Sequence, residues 1–131
     1  MITKITHITL FVHNQEEALT FYKKLGFIIH TDAQFGESRW LTLHLPEQKD
    51  VEVVLMEARN TAEKALVGKQ VGFANLESSD CQRDYVAFKA LGVKIVEQPS
   101  EQPWGISMVI EDLYGNPIYV CQGSTIENHT I

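Results

Sequence analysis

The sequence predicts an α+β fold in which two βαβββ repeats form a curved mixed sheet around a cleft. A strand–helix segment from residue 5 to a stop at Gly26 recurs from residue 71 to Gly92. Leu25 and Leu91, Gly26 and Gly92, and Ile29 and Ile95 are each 66 residues apart. Three extended segments follow each copy, separated by Gly, Pro, Asn or Asp. Halves built alike imply a shared cleft, and function then turns on which side chains line it.

In the first copy, residues 2–12 alternate as a strand, with Ile5, His7, Thr9 and Phe11 on one face and Thr6, Ile8, Leu10 and Val12 on the other. Asn14 and Glu17 have the spacing of a capping box. Ala18, Phe21, Tyr22 and Leu25 then form one apolar helical stripe, which Gly26 ends. Segments 27–32, 38–45 and 51–57 read as strands. In the second of these, Leu41, Leu43 and Leu45 pack under the helix, leaving Trp40, Thr42 and His44 to face the cleft. Residues 58–70 connect the copies, with Asn60 and Glu63 marking a helical turn.

In the second copy, Ser79 and Gln82 suggest the cap, and Ala87, Phe88 and Leu91 rebuild the stripe. Segments 93–98, 106–111 and 118–122 complete it, with a turn from Asp112 to Asn116. The polar tail after Gly123 is expected to fray. The chain thus reads as a single domain, with repeat one about 2–57 and repeat two about 71–122.

A net charge of −6 argues against nucleic acid or an anionic membrane surface as the partner, since both select basic faces. No apolar run has the length of a membrane span, and the first residues do not read as a signal peptide. Cys81 and Cys121 lack metal-type spacing, so a reduced, cytoplasmic setting is the default expectation.

Four stretches carry a family resemblance: ITHITLFV at residues 5–12, the helix from Ala18 to Phe27, the tripeptide Pro103, Trp104 and Gly105, and EDLYGNPIYV at residues 111–120. In this order they resemble the vicinal oxygen chelate superfamily of glyoxalases, extradiol dioxygenases, and fosfomycin- and bleomycin-resistance proteins. The resemblance implies a cleft site and a homodimer. In its metal-using members it implies a divalent ion held from the first and last strand of each copy by His or Gln, Glu, His and Glu. Carried over, those positions fall at His7, Leu55 (with Glu57 two residues on, on the same face), Phe73 and Tyr119. One donor in four does not hold a catalytic ion. The resemblance therefore implies a metal-independent binding protein, with no cofactor expected.

The candidate ligand-binding residues are His7, Trp40, Thr42, His44, Phe73, Asn75, Trp104 and Tyr119. The aromatic members offer stacking surface for a planar ligand, against the plain alternative of core packing. Asn75 is an orienting amide, and His7 is a polar contact or simply a strand histidine. Cys121 reads as a buried thiol, and Cys81 as facing away from the cleft. The expected function is small-molecule binding in the cleft. One rival is a lyase, isomerase or dioxygenase whose divalent metal sits on His7, Glu57 and His44. The other is a partner-binding module that uses the exposed sheet.

Overall fold

Alternating apolar residues on short strands must be covered on one face, and two helices provide that cover in a computed structural model describing residues 1–123. The elements are β1 (His7–Val12), α1 (Gln15–Lys24), β2 (Ile28–Phe35), β3 (Ser38–Leu45), β4 (Gln48–Glu57), α2 (Thr61–Leu66), β5 (Asn75–Ser78), α3 (Cys81–Ala90), β6 (Lys94–Gln102), β7 (Gly105–Glu111) and β8 (Pro117–Gln122). Two four-stranded mixed sheets result, ordered β1-β4-β3-β2 and β5-β8-β7-β6. The α+β class and the paired βαβββ plan are as the sequence predicts. Contacts divide the chain into two compact units, one from Met1 to Gln70 and one from Val71 onward. The expected fraying after Gly123 lies outside the described residues.

In the first unit, Leu10, Val12, Leu41, Leu43 and Leu55 are fully buried on the helix side of the sheet, together with Ala18 and Tyr22 of α1. Each large apolar side chain buried this way contributes roughly 1.5–3 kcal/mol. The Asn14 side chain accepts from Glu17 N–H at 2.9 Å, the predicted cap. Buried Gln15 locks α1 to the sheet, its Nε2 donating to Leu55 O at 2.9 Å and Arg39 O at 3.0 Å. Arg39 in turn donates to both Asp32 oxygens at 2.8 Å and to Glu16 at 2.6 Å. These hydrogen bonds hold the Asp32 carboxyl below the usual carboxylate range. At the sheet edge, the Gln70 side chain accepts from Phe11 N–H at 2.8 Å and donates to Thr9 O at 3.1 Å. It occupies backbone groups that a neighbouring strand would otherwise pair.

The second unit repeats the plan with small changes of spacing. Cys81 stands where Gln15 does, its thiol directed at Ile106 O (3.6 Å) and Val120 O (3.8 Å). Matching these contacts (15 to 81, 39 to 106, 55 to 120) gives offsets of 66, 67 and 65. The repeat is therefore not constant: it gains one residue before β7 and loses two before β8.

Several expected boundaries are corrected. β2 runs to Phe35 and β6 to Gln102, because the hairpins stay paired until Phe35 meets Ser38 and Gln102 meets Gly105. β4 begins at Gln48, three residues earlier than expected, because its hairpin with β3 stays paired down to Leu45 and Gln48. β1 begins at His7. The cap of α3 is Asp80, accepting from Arg83 N–H at 3.0 Å, rather than Ser79 with Gln82. A carboxylate at this position both accepts the hydrogen bond and complements the positive helix end. At the turn before β8, buried Asp112 accepts from Tyr114 N–H and Asn116 N–H at 2.9 Å and from the Asn116 side chain at 2.7 Å.

Gly105 has φ +130°, and a Cβ there would collide with the carbonyl oxygen of Gln122. The Gly105→Ala variant should lose about 1–3 kcal/mol of stability, read as a lower denaturant midpoint with an unchanged slope. Burial pushes the Cys81 thiol up, helped by nearby Cys121 and Asp84. The folded state then holds this proton more tightly than the unfolded state. The associated stability is complete below the unfolded thiol value of about 8.5 and is lost as pH rises beyond it. Denaturation curves of Cys81→Ala should therefore show a shallower loss of stability between about pH 8.5 and 10 than those of the parent. An equal slope would remove Cys81 from the alkaline response.

Candidate functional site

The face of the first sheet opposite α1 carries His7, Thr9 and Phe11 from β1, Glu52, Val54 and Met56 from β4, and Trp40, Thr42 and His44 from β3. Parallel pairing of β1 with β4 sets His7 beside Glu52. The Glu52 carboxylate, 15% exposed, is the centre of a cluster. Thr42 donates to its Oε1 at 2.7 Å, and His30 Nδ1 stands 3.0 Å from the same oxygen. His7 Nε2 lies 3.6 Å from Oε2, beyond hydrogen-bond distance. His30 reaches the cluster because the register of β2 shifts between Ile29 and Thr31, leaving the extra residue out of the ladder. Its ring meets that of His44 edge-on at 5.5 Å. Buried His44 donates from Nδ1 to Leu45 O at 2.7 Å, which fixes its tautomer because a carbonyl only accepts.

Trp40 lies across this face. Its ring centroid is 5.7 Å from that of His7, inclined at 58°, although β4 runs between their strands. The indole thus spans β4, where Val54 is only 1% exposed. Further along the same face, Thr9, Phe11 and Met56 line a pocket of about 340 Å³ with Ser38, Arg39, Glu57, Arg59 and Glu63. Arg39 is already committed to Asp32 and Glu16, and Arg59 donates to Glu37 O at 3.0 Å. The pocket therefore offers apolar and carboxylate surface more than free cations.

Of the predicted residues, the structure gathers His7, Trp40, Thr42 and His44 on this one face. Asn75 and Tyr119 are cross-strand partners on the exposed face of the second sheet. Phe73 is half-buried in the bend before β5. Trp104 sits at the β6–β7 hairpin tip, 44% exposed.

The metal positions are also corrected. Leu55 pairs with Leu10 on the helix side, both fully buried, so the fourth-strand residue that faces with His7 is Val54. By the 65-residue offset, Val54 is also the counterpart of Tyr119. The set becomes His7, Val54, Phe73 and Tyr119. The alternative triad of His7, Glu57 and His44 does not assemble, because Glu57 pairs with Val12, five residues beyond Glu52 and on the opposite face. Among the described residues, no group of three or more His, Cys, Asp or Glu is placed to hold a metal ion. The donors present do not fit the family's ion.

Sequence reasoning missed Glu52 as a site residue. It started β4 at residue 51 and sought a carboxylate on the Leu55 and Glu57 face. The usable signal was the alternation of Glu52, Val54 and Met56, read in parallel register against His7.

Comparison with known proteins agrees with the geometry. The chain is 36% identical over 122 residues to a protein from Shewanella frigidimarina (strain NCIMB 400), covering 88% of this chain and 90% of the relative. The crystal structure of UcmS2 superposes with a TM-score of 0.85 at 28% identity, covering 94% of this chain and all of that one. TnmS3, an antibiotic binding protein from Streptomyces sp. CB03234, gives 0.81 at 27% identity, covering 94% and 98%. Residues 4–120 match the family model, and the chain belongs to the Glyoxalase/Bleomycin resistance protein/Dioxygenase superfamily.

Proposed function

We propose that this protein binds a small aromatic or amphipathic molecule without a metal ion, on the face of its first sheet opposite α1. The observation that carries this reading is the half-buried Trp40 indole lying across β4 beside His7, with the pocket of Thr9, Phe11 and Met56 on the same face. Planar ligands stack on such surfaces, and a few fixed polar groups orient them. The likeness to an antibiotic binding protein supports the ligand class. The donor set supports metal independence, because His7 alone of the four corresponding positions is an imidazole or carboxylate, the others being Val54, Phe73 and Tyr119. A cytoplasmic location and a homodimer belong to the same proposal.

Trp40 fluorescence tests it directly. Planar aromatic antibiotics should quench the emission and raise the melting temperature, before and after treatment with a chelator. By calorimetry, Trp40→Ala should weaken binding about tenfold or more, the loss of one stacking partner, whereas Trp104→Ala should leave the affinity unchanged. Binding that disappears with the chelator and returns with a divalent ion would overturn the metal-free reading. Failure of every aromatic probe to quench or stabilise would reject the site itself.

A further inference from the structure

We infer that Glu52 determines the ligand class of this site, anchoring a protonated amine carried on a planar ring system. The inference rests on the binding role proposed above and names the chemistry that the face selects.

Glu52 is not explained by the fold. The same architecture is built twice, and the second copy dispenses with the cluster. By the offsets of the matched contacts, Phe73 stands for His7, Ser107 for Trp40, Val109 for Thr42 and Pro117 for Glu52. A half with no carboxylate, imidazole or indole at these positions still pairs β5 with β8 and β7 with β8 in register. The polar cluster is therefore an addition to the sheet, not a requirement of it.

The chemistry of the cluster favours an organic cation. Glu52 is its only carboxylate, and an ionised carboxylate only accepts hydrogen bonds. Oε1 accepts from Thr42 and has His30 Nδ1 3.0 Å away, whereas Oε2 faces His7 across 3.6 Å and retains acceptor capacity. An ammonium group supplies the donors that this oxygen can take. Trp40 reaches the same region, and an indole face attracts a cation while stacking the attached rings. The net charge of −6 adds a long-range preference of the same sign.

Doxorubicin, a planar aromatic bearing a primary amine, and its N-acetyl derivative, which lacks the charge, separate the possibilities. Titrations are followed by calorimetry with the parent protein, Glu52→Gln and Trp40→Ala, and each variant's melting curve confirms that it is folded. The parent should bind the amine about tenfold or more tightly than the acetylated form. Glu52→Gln, which keeps size and an acceptor for Thr42, should abolish that preference while binding the acetylated form within about threefold of the parent. Equal binding of the two probes by the parent, weakened alike in Trp40→Ala, would overturn the amine anchor and leave aromatic binding standing. A preference retained in Glu52→Gln would overturn the assignment to this residue. If neither probe binds, both this inference and the function beneath it fail.

Discussion

Parallel pairing of the first and last strands of a half decides what the rest of the fold can do. A strand side chain alternates between faces, so one register step exchanges every residue between helix side and open side. In the first unit the register sets Leu10 with Leu55 under α1 and His7 with Glu52 on the other face. Gln15 holds that arrangement by bonding the carbonyls of Arg39 and Leu55 from the first turn of α1. The aliphatic core, the carboxylate cluster and the position of the indole all follow from this one alignment.

Placing a carboxylate on a sheet face with 15% exposure is costly unless its oxygens find donors. Thr42 donates to one oxygen, and the His30 ring stands 3.0 Å from the same atom on a different strand. The bulge in β2 is what brings the His30 ring into reach. A local irregularity of backbone pairing thus serves the electrostatics of the face rather than the core. Arg39 shows the converse on the helix side, where a cation is saturated by Asp32 and Glu16 and ties α1 to the β2–β3 hairpin.

Duplication separates what the fold needs from what a site adds. Gln15 and Cys81 do the same mechanical job with different chemistry, an amide in one half and a thiol in the other. Gly105 and the Asp112–Asn116 turn answer to backbone geometry and buried polar groups, and so belong to the fold. Trp40, Thr42 and Glu52 have no counterparts of their kind at the matching positions of the second half. Such asymmetry between like halves is the mark of a site grafted onto a scaffold.

The sequence by itself determined the fold class, the order of elements, the first helix and its cap, and the side of β3 on which Leu41 and Leu43 lie. These depend on local periodicity and capping chemistry, which are written in consecutive residues. It also put Trp40, Thr42 and His44 on one side of their strand and named His7 as a cleft candidate. It took the folded chain to show that Glu52 joins this face and that Leu55 and Glu57 turn away from it. The physical reason is register between strands distant in the chain. An alternating strand is equally alternating in either phase, and only hydrogen bonding to a partner more than forty residues away selects one.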